Sequence, residues 1–278
     1  MSSKIIIIII SSLLILSTGY LFYNVQLNKK FIITRYEVVS SKLKNSFKAI
    51  MLVDLHNVEY GQDNKNLIAA IQEEKPDVIF FVGDMINYTT TDFSNLLNLL
   101  KKLSKIASIY YSYGNHERYL KSHNKFKVRK QIQNMNKINL IYYAQDQVKI
   151  AGNKINIGAF CVSQNDWDTL GQRWFKFFED PNTFTILLSH FPWVVPDNYP
   201  ETTVDVILSG HAHGGQIHLW NDLGVYAPGK GLFARYTSGL HKLDNATEIV
   251  SRGLGDHTKI PRLHNQPELV VIDFIAEP

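Results

Sequence analysis

The chain has 278 residues, 45% of them hydrophobic, and a formal net charge of +4 at pH 7. That length and apolar content allow one α/β domain with a sizeable core, and the mild, dispersed positive charge leaves no footprint for nucleic acid. A single cysteine, Cys161, excludes an intrachain disulfide framework; it follows the apolar run 155–160 and reads as a buried structural thiol rather than a nucleophile.

The N-terminus differs from the rest. From Ile5 to Tyr23 no residue is charged, and the stretch opens on six isoleucines. At the helical rise it is about 28 Å long, close to a bilayer core. Its lack of a polar face argues against a buried core helix. The expectation is an uncleaved signal anchor, a single-pass membrane segment with its flank over residues 1–30. A cleaved signal peptide is the alternative, since Ser17 and Gly19 flank Thr18 in a small-x-small pattern. Lys4 precedes the span while Lys29, Lys30 and Arg35 follow it, which leans towards a cytoplasmic domain. A long N-terminal apolar segment commonly serves export, and on that ground the domain is placed at the outer face of the cell membrane.

In chain order, Phe31–Val39 reads as a first strand and Phe47–Asp54 as a buried one, ending in Asp54-Leu55-His56. Leu67, Ile68, Ala70 and Ile71 carry a helical pattern, broken at Pro76-Asp77. Val78–Val82 is a second buried strand, ending in Gly83-Asp84; a leucine-rich helix around Leu96–Leu103 follows. Ile109–Tyr113 runs into Gly114-Asn115-His116-Glu117. Strand, helix and strand at this spacing make βαβ units, and continuous apolar strands argue a parallel sheet covered on both faces. Lys125–Met135 suggests a basic, exposed helix, and Ile138–Tyr143, Val148–Ile150 and Lys154–Phe160 suggest strands. Residues 164–178 suggest a Trp- and Phe-rich helix. Phe184–Leu188 ends in Ser189-His190, and Val204–Leu208 ends in Ser209-Gly210-His211-Ala212-His213-Gly214-Gly215. The region from Trp220 to Pro267 reads as loop, before a last strand at Leu269–Ile275.

Five strands therefore end in residue types that bind metals: Asp54 with His56, Asp84, Asn115, His190, and His211 with His213. Ligand sites of open α/β sheets gather at the carboxyl ends of strands, so these residues should converge. A strand-end Asp or Asn is more often a turn residue, and a lone His more often a hydrogen-bonded one. Five such endings in succession make coincidence the poorer account. Three oxygen donors and four imidazoles exceed the four ligands of a single structural zinc and suit two adjacent ions of Mn, Fe, Zn or Co.

The order D-x-H, G-D, G-N-H-E, H and G-H-x-H resembles the calcineurin-like metallophosphoesterase superfamily. Gly214-Gly215-Gln216 and Ser251-Arg252-Gly253-Leu254-Gly255 resemble its membrane-associated branch of YkuE- and YaeI-like proteins. The resemblance implies a four-layer α/β/β/α sandwich, the metallo-dependent phosphatase fold, over residues 31–278, with two divalent transition-metal ions between the sheets. It implies that Asp54, His56 and His213 hold one ion, that Asn115, His190 and His211 hold the other, and that Asp84 bridges them. His116 is implied as the catalytic histidine, a general acid, with hydroxide between the ions as nucleophile. Glu117 would orient His116 or hold its loop. Some relatives carry an aspartate, paired to the catalytic histidine, where this chain has Asn87. Arg252 and Lys230 are candidates to meet substrate phosphate, with plain solvent exposure the competing reading.

The expected function is hydrolysis of a phosphoester or pyrophosphate bond. The expected partners are a phosphoester substrate, lipid-linked or from the envelope, and the membrane, with no nucleic acid. The alternative is a non-catalytic envelope- or membrane-binding protein that keeps metals for structure alone.

Overall fold

The computed structural model describes residues 3–141, 144–161, 174, 178–219, 223–256, 258 and 260–277 of the protein. The N-terminal apolar run forms helix α1 (Ser3–Leu27), with mean hydropathy 2.5 over its most apolar window and none of that window buried. At about 37 Å it is long and apolar enough to cross a membrane. Two of its hydroxyls are satisfied internally, as an apolar surrounding requires: Ser17 and Thr18 both donate to the Leu14 carbonyl.

Two six-stranded mixed sheets follow. The first runs β1 (Ile32–Ser40), β14 (Glu268–Ala276), β2 (Phe47–Leu52), β3 (Val78–Val82), β4 (Ser108–Ser112), β5 (Ile138–Ile141). In it β2 to β5 are parallel, while β14 is antiparallel to β2 and parallel to β1. The second runs β12 (Gly239–Lys242), β13 (Thr247–Val250), β9 (Val206–Ser209), β8 (Phe184–Ser189), β7 (Asn153–Phe160), β6 (Ala144–Ile150), with antiparallel pairs at both edges.

The period of two along each strand sorts the core into layers. Ala49 and Met51 of β2 and Phe80 of β3 face Ile157 of β7 and Ile186 and Leu188 of β8 between the sheets. Ile50, Leu52, Ile79 and Phe81 face the other way, onto α2 (Lys65–Glu74), α3 (Ser94–Leu103) and α5 (Ser122–Gln133). On the far side, Leu187 and Ile207 pack on Val194 and Val195 of the short helix α6 (Val194–Asn198) and on Phe178. These are the four layers of the α/β/β/α sandwich.

The parallel sheet read from the apolar strands is β2 to β5, covered by helices on one face and by the second sheet on the other. One reading changes. The region read as loop beyond Trp220 contains β12 and β13, and a small hairpin of β10 (Tyr226–Ala227) with β11 (Gly231–Leu232). The signal in β13 was hidden because Glu248 sits at its centre, fully buried, and interrupts the apolar run. The helix expected over 164–178 lies outside the described residues except for Trp174 and Phe178, whose rings stack on one another.

Candidate dimetal centre

Strands β2, β3, β4, β8 and β9 point the same way and deliver their C-terminal residues to one edge of the sandwich. The turns there are tight. Asp54, His56, Asp84, His211 and His213 all have positive φ, between 48° and 62°. Asp and His tolerate that region better than most residues, and such strain persists only where the surroundings over-determine it. Two glycines allow the close packing: a Cβ on Gly114 would collide with the Asp84 carboxylate, and Gly83, at φ 87°, lies against Gly114.

The structure brings the sequence candidates together. Asp54, His56 and His213 offer ligand atoms all within 4.8 Å of one another, and so do Asp84, His190 and His211. His116 joins a third such group with His56 and Asp84. Asn115 opens helix α4 (Asn115–Tyr119), which starts one residue after Gly114. The buried Oδ1 atoms of Asp54 and Asn115 have no hydrogen-bond partner among the described residues. Carboxylate oxygens beside them are engaged by the backbone: Asp54 Oδ2 accepts from the His211 N–H at 2.8 Å, and Asp84 Oδ1 from the His116 N–H at 2.7 Å. Buried carboxylate and amide oxygens left unpaired beside imidazole nitrogens fit two divalent cations.

The ring nitrogens sort the histidines. His190 Nδ1 donates to the Val82 carbonyl at 2.8 Å, and its Nε2 lies 3.1 Å from Asp84 Oδ2. His56 Nδ1 donates to Asn87 Oδ1 at 3.0 Å. In the neutral form of each ring the proton sits on Nδ1, and the Nε2 lone pair is available to a metal. His116 is reversed: its Nδ1 accepts from the Tyr88 backbone N–H at 3.2 Å, so the neutral ring carries its proton on Nε2, 3.9 Å from Asp84 Oδ2. At His213 the buried Arg262 guanidinium faces Nδ1 at 3.2 Å. Arginine only donates, so coordination through Nε2 there requires loss of a proton or retreat of the guanidinium.

Charge follows from this crowding. Burial would raise the Asp84 carboxyl, but the neighbouring His190, with His56 and His116, holds it well below the usual range. Asp54 is raised, by burial first and by Asp84. Burial works against a charged His190, yet Asp84 and Asp54 outweigh it and push the imidazole up to about 9.

At the edges of the site the structure gives partners to Asn87, Glu117, Lys230 and Arg252. Asn87 bonds His56 and not His116, because its side chain turns back along the loop, where Nδ2 also reaches the His56 carbonyl at 3.3 Å. Of the two roles open to Glu117, it holds the loop: its carboxylate accepts from the Asp84, Met85 and Gly114 N–H groups and the Tyr111 hydroxyl. Lys230 reaches Asp197 at 2.7 Å over the Trp193 ring, and the Arg252 Nε lies 3.8 Å from Glu268, so both cations are engaged by the protein. Cys161 is buried as expected, its thiol pushed well up by burial. Sequence reasoning missed Arg262, Tyr88 and Tyr111. The first reaches the centre from a loop far along the chain, and a backbone N–H has no signature in the sequence.

Residues 51–215 match the calcineurin-like phosphoesterase family. The chain is 30% identical over 254 residues to the metallophosphoesterase YkuE of Bacillus subtilis, covering 86% of this chain and 83% of that one. It is 23% identical over 237 residues to the phosphodiesterase YaeI of Escherichia coli, covering 82% of each. The crystal structure of TT1561 of Thermus thermophilus is similar in fold, with TM-score 0.51 and 8% identity over 76% of this chain and 91% of that one. Five strand ends converging on paired His/Asp clusters, and a family match over more than half the chain, lead to one conclusion: this chain belongs to the calcineurin-like phosphoesterase family and is a metallophosphoesterase, a hydrolase whose buried ligands fit two divalent ions.

Proposed function

We propose that the chain hydrolyses a phosphoester or pyrophosphate bond of a lipid-linked or envelope substrate from a single-pass anchor. Asp54, His56 and His213 would hold one divalent ion and Asn115, His190 and His211 the second, with Asp84 shared. When bound, the two ions would supply Lewis-acid charge to phosphoryl oxygens and lower the pKa of water. The chain's own groups do the rest. His116 presents its Nε2 proton to the leaving-group oxygen as general acid. The Tyr88 N–H fixes the tautomer and the plane of that ring. Glu117 acts as a positioning residue, tying the Asp84 turn to the start of α4. The observation that carries these roles is the sorting of Nδ1 partners, which leaves lone pairs on His56 and His190 and a proton on His116.

Residues 1–30 are the anchor and its flank, and 31–278 the catalytic domain, placed at the outer face of the cell membrane. The apolar, unburied α1 supports the anchor. The test is turnover of a chromogenic phosphodiester by the full chain in lipid nanodiscs loaded with Mn²⁺, followed by a panel of lipid-linked phosphates. Absence of turnover in folded, metal-loaded protein sinks the catalytic reading. Protease accessibility on intact cells decides the face.

A further inference from the structure

The end of α1 meets the fold at the edge that carries the candidate ligands. β1 starts at Ile32, which pairs with Glu268 at the start of β14, and β14 runs antiparallel to β2, with Val270 opposite Met51. The start of β1 therefore stands beside the end of β2, where Asp54 follows. One intervening strand separates them, about 10 Å across two strand spacings. Hydrogen bonds fasten the helix end there. Asn24, buried, accepts from the His264 N–H at 3.1 Å, and Asn28 donates to the Arg262 carbonyl at 2.9 Å. Gln266 donates to the Leu27 carbonyl at 3.3 Å.

A ribbon is sewn to the same loop. The His218 N–H donates to the Leu263 carbonyl at 2.9 Å, and the Leu263 N–H to the Gln216 carbonyl at 3.1 Å. Val225 then pairs back onto Ile217, and Phe233 onto Val225, each at 2.9 Å. The hairpin of β10 and β11 completes the ribbon. Exposed apolar side chains line it: Leu219 and Leu223 are exposed, and at the end of β11 Leu232 and Phe233 are 68% and 56% exposed. Arg235 follows them, also exposed. Exposed apolar side chains grouped on one ribbon of a folded protein mark an interaction surface.

We propose that this ribbon is a second membrane contact, a lip that lies in the interfacial layer of the bilayer that α1 crosses. It rests on the reading of α1 as a membrane span. Lipid is the occupant because the ribbon is hydrogen-bonded, through residues 262–266, to the end of α1, and α1 is itself apolar all round. Lys29 and Lys30, exposed at the helix end, mark the headgroup level beside the lip. Arg235 adds attraction to anionic headgroups. Two contacts fix an orientation that one helix cannot. The edge bearing Asp54, Asp84 and His213 is then held against the bilayer, and the phosphorus to be attacked lies in the headgroup plane.

The test places an environment-sensitive fluorophore on the full chain, at Phe233→Cys, Ser12→Cys within α1, or Lys154→Cys at the far end of the second sheet. Native Cys161 is buried and stays in place. The proteins are reconstituted into phosphatidylcholine–phosphatidylglycerol vesicles with brominated acyl chains. The expected result is quenching at 233 roughly threefold or more above that at 154, with 12 also quenched. Quenching at 12 but not at 233 overturns the lip and leaves the anchor standing. Shielding of 233 from aqueous iodide without lipid quenching assigns the patch to a protein, or a second copy of this chain, and overturns the proposal. No quenching at 12 removes the anchor and the lip together. None of these readouts depends on turnover, so the catalytic reading stands or falls separately.

Discussion

The imidazole Nδ1 of His116 accepts a hydrogen bond from the backbone N–H of Tyr88 at 3.2 Å. The amide of Asn87 is committed to His56. The proton available for transfer is therefore the one on Nε2, which faces Asp84 and the centre.

His116→Ala should lower kcat by about 10²–10⁴-fold, the usual worth of a general acid. Metal content should not change. The loss should be larger for an alkyl phosphodiester than for a nitrophenyl one, because a good leaving group needs no proton. Steady-state kinetics on both substrates, with metal analysis, checks this. Equal losses on both would assign His116 to the metals instead.

Metal stoichiometry should divide by cluster. His213→Ala and His211→Ala should each remove about one ion per chain, and Asp84→Ala should weaken both, since each proposed site has three ligands of its own and shares Asp84. Elemental analysis of purified protein, with circular dichroism to confirm folding, provides the measurement. Loss of both ions in each single histidine variant would contradict two separable sites.

Glu117→Gln should destabilise the protein by about 2–4 kcal/mol. The carboxylate serves three backbone N–H groups and the Tyr111 hydroxyl. An amide keeps one acceptor oxygen and turns a donor towards the remaining N–H groups, and each buried donor left unpaired costs about 1–3 kcal/mol. Thermal or denaturant melts read the loss. Metal affinity should fall as well, because Asp84 and Asn115 both hang on this clamp.

Glu248 supplies a pH dependence away from the metals. Burial raises its carboxyl well above the ordinary value, and Ser209 Oγ donates to it at 2.7 Å. Above about pH 4.5 the unfolded chain gives up this proton while the folded chain keeps it. Stability then falls as pH rises, by up to about 1.4 kcal/mol per pH unit, until the folded group ionises. Glu248→Gln should remove that slope, so that the variant gains on the wild type between about pH 5 and about pH 8. Parallel melting curves across that range would show that Glu248 does not titrate as its burial requires.

Much of this protein is written locally in its chain. The apolar runs of β2, β3, β4, β8 and β9 are legible because strands buried on both faces need unbroken hydrophobicity. Each ends in Asp, Asn or His at the edge where ligands gather, so the candidate set could be listed without coordinates. The length and uniform apolarity of α1 are legible for the same reason, since a membrane asks only for local composition. What a residue does once it arrives depends on contacts across long sequence separations, and those only the tertiary structure decided. The short edge strand β13 was hidden by its buried Glu248. The glutamate at 117 was seen, but two of its four donors, the Asp84 and Met85 N–H groups, come from the turn after β3, more than thirty residues away. Which nitrogen of His56, His116 or His190 carries the proton is set by Asn87, the Tyr88 N–H and the Val82 carbonyl. That the end of α1 lies beside the metal-ligand edge follows from one antiparallel pairing, β14 against β2. No local pattern encodes that choice, because it is made by how two sheets close over a shared core.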